Sequence, residues 1–413
     1  MNPPRAPKAR IGLALAGGGP LGAVWEIGAL CALAEAVPAL DFTALHGYVG
    51  VSAGSFIAAG LANGMTPRQL CTSFIENDGP RADLIRPSLF FRPALREYAR
   101  RLVAAPGLAL QAGWGLVVQR RPVLAAVERM GRALPTGLFS NAALQAQLAR
   151  VFSAPGRSND FRLLQRRLVL VATDLDSGTA APFGLPGWDH VPISQAVAAS
   201  AALPGLFPPE PIDGRWYVDG ALKKTLHASV LLDQGLDLLL CLNPMVPFEA
   251  GERHGRQRHR VLGGASERIP QLVDGGLPLV LSQTFRSLIQ SRLELGLKGY
   301  AHSHPQTDIV LFEPDHHDPE MFLANTFGYS QRHVLAEHAY RRTRAELRSR
   351  RSVLAATLAR HGLALDEAVL DDPQRALLRH HRNVGTRAGR ALQRLDEVLT
   401  DLQRALAARS TGG

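Results

Sequence analysis

A serine between two glycines is the residue of this chain that is best placed to do chemistry. Gly50, Ser52 and Gly54 form the pattern Gly-x-Ser-x-Gly, between an apolar run at 46–51 and a helix-forming segment that starts at Phe56. A serine at a sharp turn from strand to helix has strained backbone angles, and small neighbours let the two elements close on each other. At a helix N-terminus, free N–H groups favour developing negative charge. Ser52 is therefore a candidate nucleophile.

A glycine-rich loop follows the first apolar run of the chain, at residues 11–16, and precedes a helical stretch at 23–36. Its residues are Gly17, Gly18, Gly19, Pro20, Leu21 and Gly22. Three consecutive glycines after a buried strand leave a bare backbone whose N–H groups can bind an oxyanion. Gly17, Gly18 and Gly19 are therefore candidate oxyanion-hole residues.

The same loop also matches Gly-x-Gly-x-x-Gly, the dinucleotide-binding pattern. That function needs an acidic residue at the end of the second strand, about twenty residues further on. Asp41 lies at about that distance, but it precedes the next strand, which ends in the Ser52 turn. No acidic residue lies at the end of the second strand, so we favour the oxyanion interpretation and expect no cofactor.

An aspartate ends a third strand-like run, at residues 216–218. An Asp-Gly pair such as Asp219 and Gly220 usually marks a turn. A candidate nucleophile needs a base, however, and Asp219 is a candidate for that role. Three histidines come late enough for the order Ser, Asp, His of α/β-hydrolases, but none lies in a recognisable motif: His227, His302 and His304. His46 is interpreted as structural.

These motifs, in this order and at these separations, resemble the patatin-like phospholipase family. Two further stretches, at 172–178 and 199–209, are similar to it, and the five blocks span residues 11 to about 245. The resemblance implies a Ser-Asp dyad, in which Ser52 attacks an ester carbonyl and Asp219 takes its proton without a histidine. It also implies that the glycine loop forms the oxyanion hole. Many members carry a basic residue where this chain has Leu21. At this position the chain therefore lacks the cation that would lie near the oxyanion.

Length and pattern indicate one large α/β domain with an appendage. Strands and helices alternate through residues 11–245 of the 413-residue chain, which predicts a mostly parallel central sheet flanked by helices. We expect the acyl-hydrolase domain to cover 11–330 and an α-helical C-terminal extension to cover 331–413. The last helix carries leucines at alternating spacings of three and four: Leu392, Leu395, Leu399, Leu402 and Leu406. This apolar seam has three alternative interpretations: it packs on the preceding helices, it forms a homodimer contact, or it binds a lipid surface.

Residues 80–130 are a candidate cap insertion. The segment combines Phe90, Phe91 and Trp114 with clustered arginines, among them Arg100 and Arg101. It is either a set of amphipathic helices packed on the domain or a cap that binds an anionic bilayer and admits acyl chains. Its most apolar stretch is interrupted by proline, glutamine and glycines, so we expect no transmembrane helix.

Composition limits the compartment and the partners. The three cysteines, Cys31, Cys71 and Cys241, lack metal-binding spacing and favour a reduced, cytoplasmic compartment. The first ten residues precede the glycine-loop strand and do not read as a removable signal peptide. Residues 315–318 are acidic and histidine-rich, but adjacent ligands cannot all converge, so we expect no metal. The net charge of +10 comes from dispersed arginines, which favours a lipid surface over nucleic acid.

The sequence therefore predicts a serine acyl hydrolase, cytoplasmic or at a peripheral membrane surface, that cleaves fatty-acyl esters of phospholipids or lysophospholipids. Two alternatives remain open. A Ser-His-Asp esterase would require one of the late histidines. A lipid-binding scaffold with a vestigial site would keep the fold without turnover.

Overall fold

In a computed structural model of the protein, the described residues are 9–78, 83–85, 89, 91–118, 131, 133–249, 272–322 and 331–378. The chain forms two compact units, Met1–Arg375 and Ala376–Gly413. The predicted leucine seam from Leu392 to Leu406, with its possible dimer contact, lies outside the described residues. So do Phe90 and residues 119–130 of the predicted cap.

One sheet of eight strands forms the centre of the first unit. The strands are β1 (Ile11–Leu15), β2 (Gly47–Val51), β3 (Arg167–Asp174), β4 (Ala180–Phe183), β5 (Glu210–Ile212), β6 (Arg215–Asp219), β7 (Leu238–Leu242) and β8 (Asp308–Phe312). Their order is β5-β6-β3-β2-β1-β7-β8, and β4 pairs with β3. Five neighbouring strands are parallel, in the order β3, β2, β1, β7 and β8, whereas β4, β5 and β6 form antiparallel pairs at one edge of the sheet. This confirms a mostly parallel central sheet.

Twelve α-helices occur among the described residues. They are α1 (Gly19–Ala36), α2 (Ala53–Ala62), α3 (Pro67–Leu70), α4 (Leu95–Val117), α5 (Ala142–Phe152), α6 (Ile193–Ser200), α7 (Ser229–Leu232), α8 (Gly276–Ser303), α9 (Pro319–Phe322), α10 (Arg332–Ser349), α11 (Arg351–Arg360) and α12 (Glu367–Asp371). Helix α1 begins at Gly19, inside the glycine loop and four residues before the predicted start. Helix α4 lies in the predicted cap.

Helices cover both faces of the sheet because both faces are apolar. Successive side chains of a strand point to opposite faces, and every residue of β1, β2 and β7 is buried. One face, which includes Ala14, Val49 and Val169, packs against Leu231 of α7 and Leu293 of α8. Helices α2 and α6 contact strands of the same sheet, and α1 packs against α2. Apolar runs without alternation are typical of parallel strands buried on both faces.

Helix α10 packs tightly along α1, within the first compact unit. A Cβ atom on Gly28 of α1 would lie 2.6 Å from the carbonyl oxygen of Ala336, so the two helices approach almost to backbone contact. The Tyr340 hydroxyl also donates a hydrogen bond to Glu35 at 2.6 Å. Both helices belong to the first compact unit, which extends to Arg375.

We predict that Gly28→Ala destabilises the protein. Helix propensity alone favours alanine by up to about 1 kcal/mol, but the added methyl group has to displace the backbone of α10, at a cost of about 1–3 kcal/mol. Gly107→Ala is the matched control, because a Cβ on Gly107 meets nothing within 4 Å. Urea unfolding should show a loss of stability for the first variant alone. Equal stability of the two variants would contradict the close approach.

Candidate active site

Ser52 occupies the sharp turn between β2 and α2, as the sequence indicated. Its φ of 52° and ψ of −120° lie in a region that non-glycine residues rarely adopt. The side chain is almost buried, with 7% of the residue exposed. Strain of this kind persists only where the surrounding structure imposes it.

The two flanking glycines impose the geometry of this turn. A Cβ on Gly54 would lie 2.5 Å from the carbonyl oxygen of Leu15, and a Cβ on Gly50 would lie 2.5 Å from the carbonyl oxygen of Gly54. Strand β1, strand β2 and helix α2 thus meet at backbone contact. The Gly54 amide also donates a hydrogen bond to Ala16 at 3.1 Å, which fixes the turn against the end of β1.

Two buried serines hold the backbone of Ser52, and neither was a candidate from the sequence. The Ser52 amide donates to the Ser200 hydroxyl at 2.8 Å, and that hydroxyl donates to the Val171 carbonyl at 2.7 Å. The Ser55 hydroxyl donates to the Ser52 carbonyl at 2.5 Å. Ser200 lies in the 199–209 stretch that carried the family resemblance, but its contact with Ser52 depends on packing between distant segments.

Asp219 reaches the same level of the sheet as Ser52 because β6 runs antiparallel to β3. Asp219 pairs with Ala172, and Val51 pairs with Val171 on the other side of β3. The chain then turns at Gly220, against Val171 of β3. A Cβ there would lie 2.2 Å from the Val171 carbonyl oxygen, so only glycine fits the turn. Nothing in the sequence indicated that this strand is antiparallel.

The Asp219 carboxylate accepts a hydrogen bond from the Ala221 amide at 2.8 Å. It is 2% exposed. Burial raises the pKa of Asp219 to about 6, although the Ser52 hydroxyl and the Ala221 amide oppose the shift. The carboxylate is therefore ionised near neutral pH, and its basicity is higher than that of an exposed aspartate. A group of this kind can accept a proton from the serine.

The glycine loop lies directly beside Ser52. A Cβ on Gly17 would lie 3.0 Å from the Ser52 Cβ and 3.1 Å from that of Ala221. Within the described part of the chain, the amides of Gly17, Gly18 and Gly19 donate no hydrogen bond. Unpaired amides at the start of a helix are donors available to an anion. Leu21, where many family members are basic, is buried.

Two other residues support the loop and were missed in the sequence. The ring of Pro244 packs on the loop, since its Cγ lies 2.8 Å from the position of a Cβ on Gly18. Glu26 is fully buried on α1, about one turn after the loop. Burial raises its pKa well above the usual range, and the Ala16 backbone opposes this only in part. Burial thus favours the neutral form of Glu26.

The three late histidines have other partners. His227 is buried, with Nε2 3.3 Å from the Gly220 carbonyl oxygen, and burial lowers its pKa to about 4. His302 contacts the Lys298 carbonyl, and His304 contacts Asp233. Among the described residues, no hydrogen bond joins any of these three histidines to Ser52 or to the Asp219 carboxylate. Within the described ranges, no group of three or more acidic, histidine or cysteine side chains is placed to hold a metal.

We predict that Ser200→Ala lowers kcat for a soluble ester at least tenfold with little change in KM, because the Ser52 amide loses its acceptor and the nucleophile shifts. An unsatisfied buried amide also costs about 1–3 kcal/mol of stability. Ser194→Ala is the matched control, because Ser194 lies on the same helix, is buried and accepts a hydrogen bond from Asn159. Steady-state kinetics should separate the two variants. Equal kcat losses would mean that Ser200 acts only through stability.

The comparisons with known proteins fit this geometry. A family model described as "Patatin-like phospholipase" matches residues 13–232. VipD from Legionella pneumophila is similar at 19% identity over 59% of this chain and 51% of its own, with a TM-score of 0.32. ExoU from Pseudomonas aeruginosa, solved with SpcU, is similar at 18% identity over 71% and 53%, with a TM-score of 0.27. The chain thus spans about half the length of these solved chains.

These structural similarities are too low to carry an argument, so the family model decides the assignment. Its match includes the glycine loop, Ser52 and Asp219, and it covers more than half of the 413 residues. The chain belongs to the patatin-like phospholipase family.

Proposed function

We propose that this protein is a serine acyl hydrolase that cleaves fatty-acyl carboxylic esters of phospholipids or lysophospholipids. The observation that carries the proposal is that the strained turn at Ser52 lies level with the buried Asp219, whose pKa is raised to about 6. Family membership supports the lipid acyl hydrolase class. Ser52 is the nucleophile of the proposed dyad and Asp219 is its base.

In the acylation step, Asp219 takes the proton of the Ser52 hydroxyl as Oγ attacks the ester carbonyl carbon. The carbonyl oxygen becomes an oxyanion, which the unpaired amides of Gly18 and Gly19 stabilise. The intermediate then expels the alcohol part of the lipid as an alkoxide, and protonated Asp219 supplies the proton that it needs. The fatty acyl group remains on Ser52 as an ester.

Deacylation repeats the same proton transfers with water. Asp219 takes a proton from water as the water oxygen attacks the acyl carbon, and the second oxyanion occupies the same loop. Its collapse breaks the bond to Ser52 Oγ, which regains its proton from Asp219, and the fatty acid leaves. One carboxyl group suffices because its pKa near 6 lets it accept and return a proton near neutral pH.

The first test is covalent labelling of Ser52. A fluorophosphonate should form an adduct on Ser52 in the wild-type protein, detectable by mass spectrometry of its peptides, because only an activated serine reacts. Ser52→Ala should remove the adduct. A folded wild-type protein that stays unlabelled would favour the non-catalytic scaffold.

We predict that kcat/KM for a soluble ester falls about tenfold per pH unit below pH 6, because protonated Asp219 cannot act as a base. Ser52→Ala and Asp219→Asn should each lower kcat by a factor on the order of 10²–10⁴, and the double variant should be little worse. The measurement is a pH–rate profile with the two single variants and the double variant.

A measurement of stability shows whether Asp219→Asn loses activity because it unfolds. The folded pKa of Asp219 is raised, so the stability that this carboxyl contributes is present at low pH and is lost as pH rises through 6, by on the order of 3 kcal/mol. Asp219→Asn should therefore be at least as stable as wild type at pH 8 although it is inactive. His302→Gln should keep wild-type turnover. Loss of turnover in that variant, with an active Asp219→Asn, would favour the histidine triad.

We also propose that α4 is a membrane-contacting cap. Five large apolar side chains on it are 62–82% exposed: Leu95, Leu102, Val103, Leu110 and Trp114. At 3.6 residues per turn they lie within an arc of roughly 120°, which is the apolar stripe of an amphipathic helix. Within the described residues, no helix combines the length and apolarity of a membrane span. Contact with lipid is therefore proposed to be interfacial.

Charge around α4 supports the same interface. Residues 91–118 contain four arginines and one acidic residue, Glu97. Arg100 and Arg101 both form ion pairs with Glu97, at 2.6 and 2.8 Å, whereas Arg92 and Arg96 are exposed. Each arginine near an anionic surface contributes about 1 kcal/mol, and salt screens this attraction. Because Arg100 and Arg101 also stabilise the helix locally, apolar substitutions test the surface more cleanly.

We predict that Leu102→Asp weakens binding to vesicles of phosphatidylserine and phosphatidylcholine at least tenfold, since burial of a leucine contributes about 1.5–3 kcal/mol. Val353→Asp is the matched control, because Val353 is an exposed apolar residue of α11, 65% accessible against 75% for Leu102. Vesicle sedimentation should show the loss for Leu102→Asp alone, and both variants should hydrolyse a short soluble ester. Equal binding, or binding that ignores lipid charge and salt, would refute the membrane-facing role of α4.

A further inference from the structure

A groove of about 320 Å³ lies between α8 and the segment that follows the Asp219 turn. One wall consists of Lys224, Thr225, Leu226 and His227, and the other is a face of α8 from Arg292 to Ser303. Its volume lies at the lower end of the roughly 300–1,000 Å³ that ligand pockets occupy. The proposed hydrolysis does not use this groove.

Two glycines on α8 leave one wall of the groove without side chains at their positions. A Cβ on Gly299 would meet nothing within 4 Å, and a Cβ on Gly296 would meet only the Tyr300 ring at 3.9 Å. The wall from Arg292 to Ser303 spans eleven residues, which at about 1.5 Å per residue gives about 16 Å. This shape suits one extended alkyl chain.

The lining separates charge from apolar surface. Lys224 and Arg292 lie at the end nearest the Asp219 turn, and none of the lining residues is acidic. Buried Leu226 and Leu293 form the apolar floor. Neither cation forms an ion pair with a carboxylate among the described residues. The groove therefore offers positive charge at one end and apolar surface along its length.

The cationic end is held in place before any ligand arrives. The Arg292 guanidinium donates one hydrogen bond to the Leu222 carbonyl at 2.7 Å, which leaves most of its five N–H donors available. His227 contacts the Gly220 carbonyl. Burial lowers the pKa of His227 to about 4, and Lys224 and Lys223 also lower it, so the charge at this end is that of lysine and arginine. A guanidinium that is already fixed loses less entropy when it binds an anion.

We infer that this groove is a second binding site, separate from Ser52, for a single-chain amphiphile with an anionic head. The head, a carboxylate or a phosphate, binds Lys224 and Arg292, and the alkyl chain lies along the glycine face of α8. A fatty acid and a lysophospholipid share this chemistry. An uncharged lipid of the same length lacks the interaction with the two cations.

The test measures binding to full-length protein carrying Ser52→Ala, so that it does not depend on turnover or on the proposed hydrolysis. Dodecanoate and dodecyl phosphate, both below their micelle concentrations, are titrated by calorimetry, with dodecanol as the uncharged comparison. Gly299→Leu fills the groove, and Gly299→Ala is the matched control that adds helix propensity without filling it. Both substitutions replace a helical glycine by a better helix former, so thermal unfolding should show no loss of stability.

We expect Gly299→Leu to weaken binding of the charged probes at least tenfold and Gly299→Ala to stay within twofold of the Ser52→Ala parent. Lys224→Gln should weaken binding at least threefold and reduce its dependence on salt. Tighter binding of dodecyl phosphate supports a phosphate-bearing ligand, and tighter binding of dodecanoate supports a fatty acid. The inference is overturned if neither probe binds, if dodecanol binds equally well, or if Gly299→Leu binds like Gly299→Ala.

Discussion

The backbone contact of Gly54 with the end of β1 is the constraint on which the rest of the site depends. The contact leaves no room for a Cβ at this position, and it holds Ser52 at a φ of 52°. Because β1 continues directly into the glycine loop, the same contact places Gly17 within van der Waals distance of the Ser52 side chain. One packing constraint thus sets both the strained serine and the neighbouring amides, and neither needs a flexible segment to bring it into position.

The pKa of Asp219 results from burial and hydrogen bonding, which act in opposite directions. Burial alone would favour the protonated carboxyl, and the Ser52 hydroxyl and the hydrogen bond from the Ala221 amide counter this effect, which gives a pKa of about 6. An exposed aspartate would be a weaker base by about two pKa units. The same burial makes the ionised residue destabilising above pH 6, so the tuning of this carboxyl opposes folding stability. In the proposed dyad, a carboxyl with a pKa near neutral takes the role that a histidine has in a triad.

The sequence predicted those parts of the molecule that local pattern determines. The glycine loop, the turn at Ser52 and the strand that ends at Asp219 each have a motif of a few residues, and β1, β2 and β6 lie where those motifs required. The antiparallel direction of β6 could not be predicted, because strand pairing depends on long-range packing and not on the composition of the strand. The support of Ser52 by Ser200, 148 residues away, has the same origin. The packing of α10 on α1 likewise depends on Gly28, which in the sequence is one small residue among many.

The part of the chain after residue 232, beyond the matched family region, also shapes the site. Pro244 follows β7 and packs on Gly18. Helix α8 holds this segment in place, because Gln290 accepts a hydrogen bond from Asn243 and Arg286 donates one to the Val246 carbonyl at 3.1 Å. Toward its C-terminal end the same helix contributes Gly296 and Gly299 to the groove beside Lys224. One part of α8 thus supports the segment that carries Pro244, and another part lines the groove beside Lys224. Substitutions at Arg286 or Gln290 of α8 are therefore expected to disturb the Pro244 segment. A substitution at Gly299 of the same helix, which has open space beside it, is expected to affect the groove alone.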